Sequence, residues 1–191
     1  MGDIGAAAAK RLSLLGEVLR FADATTDYPR LLDTIAARTA ALLGHHCSIR
    51  LLSDDGKVLE PVAKADPLEG RDDSVPSLAP LADGVFVIAD SPTVTEAMAT
   101  GKTIVLEASP TVAFSRPFEE PVRPLTRTFD IESIVIAPLT ARGQTYGALF
   151  VVRRGTSPPF TRDDVELAEA LARHAALAIS NGRLFQQLTR E

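Results

Sequence analysis

The chain has 191 residues, 46% of them hydrophobic and 24% charged, the balance of one ordinary globular domain with room for a helical extension. A net charge of −5 supplies no basic field for nucleic acid or an anionic membrane, so neither is expected as a partner. The single cysteine, Cys47, excludes an intrachain disulfide, and with no signal peptide and no apolar run near the roughly 20 residues of a membrane span, a cytoplasmic location is expected.

From Ala7 to Ala24 apolar residues recur at helical spacing, with Leu12, Leu15 and Leu19 among them and Lys10, Arg11, Glu17 and Arg20 between. Thr25-Thr26-Asp27 breaks that pattern, and Pro29 suits the first turn of a second helix. This helix carries Leu31, Leu32, Ile35, Ala36, Thr39, Leu42 and Leu43 and stops at Gly44. Extended runs at Cys47–Leu52 and Val58–Ala63 flank Asp55-Gly56, a hairpin signal because glycine accepts the positive φ of a tight turn. Residues 66–83 are rich in Pro, Asp, Gly and Ser and read as a long loop or lid, followed by a short strand over Val85–Ala89.

Ser91-Pro92-Thr93 caps a short helix, Val94–Thr100, which Gly101 ends, and Lys102–Glu107 is a strand. Residues 108–129 hold Pro110, Pro117, Pro121 and Pro124 and read as irregular, with one short helix. Ile131–Leu139 and Tyr146–Val152 form a second hairpin. Thr161-Arg162-Asp163-Asp164 has the spacing of a capping box, and Val165, Ala168, Leu171, Ala175, Ala178 or Ile179, and Phe185 then trace a helical stripe to about Leu188.

Three runs carry a family resemblance. They are Pro92–Val105, with its Ala97-Met98-Ala99-Thr100-Gly101 turn; Ile134–Leu139 with Gly147-Ala148-Leu149 on the return strand; and Phe160–Asn181. Together, from Tyr28 to Leu188, they resemble the GAF domain. The resemblance implies an α+β fold with a central antiparallel sheet of five or six strands. Terminal helices would cover one face, and short helices and loops would form a ligand pocket on the other. It divides the chain into a linker or dimerisation helix (1–24), the GAF-like sensor domain (25–188) and the start of a connector (189–191) to an effector domain. It also implies a sensory or regulatory module of a signalling protein, such as a bacterial sensor histidine kinase, and no enzyme activity. The alternatives are a scaffolding module with a closed pocket and, third, a small enzyme on the same fold.

The chemistry-bearing residues agree with a binding module. Neither a phosphate-binding glycine loop nor a G-x-S-x-G elbow occurs, and no catalytic residue is expected. His45 and His46 are adjacent at a strand start and point to opposite faces, while His174 has only Ala170 and Ala178 at i±4, so no metal site is expected. Haem ligation finds no local pattern. Cys47 reads as a small buried residue. Bilin-carrying members of the family attach the chromophore through a cysteine in the later irregular region, and residues 108–129 contain neither Cys nor His. The spaced Asn-Lys-Phe-Asp-Glu signature of cyclic-nucleotide members is missing, since Asn181 is the sole asparagine. Phe114 and Glu119-Glu120 echo it only in part.

Arg50 interrupts an apolar strand and shares a face with Ser48. On a pocket wall its guanidinium would prefer a carboxylate or phosphate; otherwise it pairs with an acidic residue or reaches solvent. Arg116, Arg123 and Arg127 read as solvated charge. Family topology with strand alternation gives Ser48, Arg50, Val87, Phe114, Ser115, Ser133, Val135 and Phe150 as the pocket. The last helix is apolar over a wide arc, so a homodimer is expected through Leu12, Leu15, Leu19, Leu177, Leu184 and Phe185.

Overall fold

The computed structural model describes residues 28–44, 46–69, 76–120 and 122–188, with backbone alone for 183–188, and the isolated helical positions Ala9, Ser13 and Gly16. The expected helix over 7–24, with Leu12, Leu15 and Leu19, otherwise lies outside the described residues. So does His45.

Helix α1 (Tyr28–Leu43) leads into strands β1 (His46–Leu52) and β2 (Val58–Ala65), joined at the turn where Gly56 takes a φ of 72°. The expected loop over 66–83 contains a single helical turn, α2 (Ala79–Ala82). The expected strand over 85–89 shortens to β3 (Phe86–Val87), because Ile88–Asp90 coil into a 3₁₀ turn. Ser91 Oγ then accepts the Val94 amide and starts α3 (Pro92–Thr100), and Gly101, at φ 66°, ends it. Strand β4 (Ile104–Glu107) follows.

The stretch expected to be irregular also holds a strand, β5 (Ser115–Pro117), besides the short helix α4 (Arg123–Thr128). Strands β6 (Ile131–Ala141) and β7 (Gln144–Arg154) are longer than their apolar runs suggest. Arg142 and Gly143 both take positive φ, which matches the twist of a two-residue hairpin turn and lets the strands pair up to it. In the capping box of α5 (Arg162–Leu188), the Asp164 amide donates to Thr161 Oγ1 and the Thr161 amide to Asp164 Oδ2.

The sheet has seven strands in the order β3-β2-β1-β7-β6-β4-β5. The sequence leads one to expect five or six antiparallel strands, the sixth being the short strand that becomes β3; β5 adds a seventh, and it pairs with β4 in parallel. Strand alternation divides the core. Cys47, Ile49, Val135, Ala137, Leu149 and Val151 face α1 and α5, where they meet Leu31, Ile35, Val165, Ala168, Leu171 and Ala175. Leu59, Ile104, Leu106, Ile136, Ala148 and Val152 face the opposite layer of short helices.

Two adjacent arginines on β7 bind the layers together. Arg153 donates from Nε to the Leu43 carbonyl and from Nη2 to Asp164, joining the end of α1 to the start of α5. Arg154, on the other face, reaches Asp66 and the Pro76 carbonyl.

Burial pushes the Cys47 thiol up to about 12, a hydrogen bond with Thr39 opposing only in part. Thiolate attack is therefore suppressed twice, by access and by ionisation. We expect Cys47 to resist a maleimide at pH 8 in the native protein and to react at the rate of global unfolding, as followed by mass spectrometry.

Candidate functional site: an apolar cavity beneath α2

Between the sheet and the short helices lies a cavity of about 150 Å³. Its floor is Leu106, Ile134, Ile136, Phe150 and Val152, and its roof is Leu78, Leu81, Ala82, Phe86, Val94 and Leu125. The wall is almost wholly apolar. Its polar members come chiefly from β1, where the two-residue period brings His46, Ser48 and Arg50 onto the cavity face.

Arg50 is 5% exposed and holds the roof in place. Nη1 donates to the Gly84 carbonyl at 2.6 Å, and Nη2 to the carbonyls of Leu81 at 2.6 Å and Ala82 at 3.0 Å. These acceptors cluster at the end of α2, where helix carbonyls lack partners and carry partial negative charge. Burial lowers the Arg50 pKa and Asp83 raises it, and the guanidinium stays charged. Arg50 therefore neither pairs directly with a carboxylate nor reaches solvent. Its cation is spent on the backbone of the lid.

His46 divides this cavity from a smaller polar one of about 120 Å³ lined by Lys64, Asp66 and Glu69. Its Nδ1 lies 3.6 Å from Asp66 Oδ2, too far for a hydrogen bond. Burial pushes the Asp66 carboxyl up, but His46, the Leu68 amide and Arg154 more than offset it and hold the carboxyl below the usual range. Arg154 Nη2 meets Asp66 at 2.9 Å while Nη1 meets the Pro76 carbonyl, so one side chain closes the base of the 66–76 segment.

On the far side, Glu119 accepts from Ser91 Oγ and from the Thr93 amide and hydroxyl, capping α3 from another segment. The Glu119-Glu120 pair is structural in both members, because Glu120 pairs with Arg123. Arg116 is bidentate with Glu96 on the surface.

Of the expected pocket residues, Ser48, Arg50 and Phe150 line the cavity. The other five do not. Val87 points outward and its neighbour Phe86 fills the wall. Val135 packs against the terminal helices, and Ile134 and Ile136 take the cavity side. Phe114 packs against the helix-side core beneath Arg162. Ser115 donates to Glu107 at 2.9 Å, and Ser133 is the cross-strand partner of Glu107 on that same face. Of the dimer residues, Leu177 is 42% exposed, while the side chains of Leu184 and Phe185 lie outside those described. Among the described residues no group of three or more His, Cys, Asp or Glu could hold a metal, and no helix is long and apolar enough to cross a membrane.

A sheet with long terminal helices on one face and an apolar cavity under short helices on the other defines an α+β domain whose cavity lies opposite its terminal helices. Residues 27–179 match the family model described as GAF domain, and the chain belongs to that family.

Solved structures agree at the level of fold. The phycocyanobilin-bound GAF domain from a cyanobacterial phytochrome superposes with a TM-score of 0.72 at 20% identity, over 91% of this chain and 96% of that one. The GAF domain of a phosphoenolpyruvate-protein phosphotransferase from Coxiella burnetii gives 0.69 at 15% identity, over 94% and 98%. A methyl-accepting chemotaxis protein segment gives 0.64 at 18% identity, over 90% and 98%.

Proposed function

We propose that this GAF domain is a regulatory binding module. It holds a small molecule in the cavity beneath α2 and passes occupancy to α1 and α5. The observation that carries this reading is the back-to-back arrangement across β1, β6 and β7. Ser48, Ile136 and Phe150 line the cavity on one face, and Ile49, Val135 and Val151, one residue away, pack under the helices on the other. Because interiors are close-packed, a side chain displaced on one face shifts the strand that carries it. The names of the structural neighbours, a phytochrome, a phosphotransferase and a chemotaxis protein, favour a signalling context.

Output runs through a cytoplasmic homodimer of the terminal helices toward an effector such as a histidine kinase. The half-exposed Leu177 on α5 supports that helix as the contact surface. Binding is the proposed role, and no reaction is assigned. Covalent bilin attachment is not part of the reading, since Cys47 packs on the helix side of the sheet, away from the cavity.

A thermal-shift screen of organic acids, cyclic nucleotides and small ring compounds, followed by hydrogen exchange, tests the binding role. A stabilising compound should slow exchange in both the 78–84 lid and α5. Stabilisation with α5 unchanged removes transmission, and the absence of any stabilising compound removes the sensor. Light scattering should give twice the chain mass for the intact protein and a monomer for a chain starting near Thr25. A monomeric intact chain at about 100 μM, well above a micromolar contact, removes the dimer.

A further inference from the structure

Resting on the sensor reading, we infer that the cavity selects a compact, uncharged ring compound bearing one hydrogen-bonding group, with Ser48 as the polar anchor.

Three observations combine. The first is size: a cavity of about 150 Å³ with apolar walls is the volume that accommodates benzene in an engineered protein core. The second is charge. The cation in the wall is Arg50, and three of its five N–H groups already meet the carbonyls of Leu81, Ala82 and Gly84. Those carbonyls turn its positive field toward the lid. A carboxylate entering the cavity would lose its water against Leu106, Ile134 and Phe150 without a dedicated partner, a cost that an apolar ring cannot repay.

The third is the state of the remaining polar groups. Ser91 Oγ is occupied by the Val94 amide and by Glu119. The Ser48 hydroxyl is different: it lines the cavity, the residue is 3% exposed, and it has no hydrogen-bond partner among the described residues. Buried hydroxyls are normally satisfied by protein, by water or by a ligand. An unpartnered hydroxyl amid apolar walls marks where the polar group of a ligand sits. The other unpaired polar side chain of this wall, His46, turns its Nδ1 toward Asp66 and the smaller cavity, so Ser48 is left to meet one polar group of a ligand whose remainder faces apolar walls.

Titrating the full chain, with labelled Ile, Leu and Val methyls, against phenol, toluene and benzoate tests this. We expect phenol and toluene to shift the methyls of Leu106, Ile134 and Ile136 saturably, and phenol to bind at least tenfold more tightly than benzoate. Ser48→Ala should weaken phenol about fivefold, the worth of one neutral hydrogen bond, and leave toluene within twofold. Val94→Phe fills the cavity and should abolish both; should it fail to fold, the wild-type methyl shifts locate the site by themselves.

Benzoate binding as tightly as phenol overturns the inference and makes Arg50 the anchor. An equal effect of Ser48→Ala on phenol and toluene, or none on either, removes Ser48. If none of the three binds while another class of compound stabilises the protein and protects α5, the ligand class falls and the sensor reading stands. If no compound binds in either measurement, both fall.

Discussion

Gly147→Ala is expected to lower stability by about 3 kcal/mol or more, above the usual range for an added methyl group. Gly147 lies on β7 opposite Leu51, and a β-carbon there would sit 2.0 Å from the Arg50 carbonyl oxygen and 2.9 Å from the Leu51 Cα. Both obstacles are backbone in the middle of the sheet, so no rotamer relieves them. Either β1 separates from β7 or the ladder shifts register. Urea midpoints should drop with little change in m, and hydrogen exchange should rise along β1. The displaced residue is Arg50, so the 78–84 lid should loosen in the same variant. A loss below about 1 kcal/mol would mean that β1 yields easily there. Gly143→Ala serves as a control, since a β-carbon at Gly143 meets nothing within 4 Å and only its φ of 75° is strained.

Asp66→Asn should cost about 3–5 kcal/mol, the range for removing one member of a buried ion pair. The Asp66 and Arg154 side chains are 4% and 5% exposed, so Arg154 would be left charged with little water to replace its partner. The pH dependence has a definite sign. The Asp66 carboxyl titrates below its ordinary value in the folded protein, so the native state binds the proton less readily than the unfolded chain. The resulting stabilisation is complete above the ordinary carboxylate range near 4. It is lost as pH falls through the lowered folded value, below which both states are protonated. Wild-type stability should therefore decline over that window, and the Asp66→Asn variant should be flatter there. Parallel acid limbs in chemical denaturation would show that the pair adds no net stabilisation.

Much of the fold can be read from local chemistry. Ser91, Gly101, the Thr161–Asp164 box and the two glycine-bearing hairpin turns each act within four or five residues, and the structure uses all of them. The marginal strands are legible only in part. Val85–Ala89 reads as a strand but pairs at two positions before coiling, and β5, three residues of a proline-rich stretch, exists because β4 offers ladder partners to chain that lacks strand periodicity.

The site divides along the same line. Ser48 and Arg50 interrupt an apolar run, and that contrast marks which side of β1 faces the cavity. β6 has no such contrast, because helices cover one face and the cavity roof the other. Its phase is therefore invisible in the sequence, and alternation alone puts Val135 where Ile134 and Ile136 stand. The role of Arg50 is equally hidden. Its partners are carbonyls of residues 81–84, which identify themselves only once the lid has folded over β1.

The margins of the sheet bear on which surfaces of this domain resist association. An open edge of unpaired amides and carbonyls invites another chain to add a strand, the usual route to uncontrolled association. Here the outermost strands offer little to extend. β3 pairs at two positions before turning into the 3₁₀ coil, and β5 pairs at three and ends on Pro117, which has no amide to donate. Strand addition at either margin would stop within a residue or two. Association through the sheet margins is thereby disfavoured, which leaves the helical layer as the surface that suits the proposed dimer, with contacts that commit no backbone hydrogen bonds.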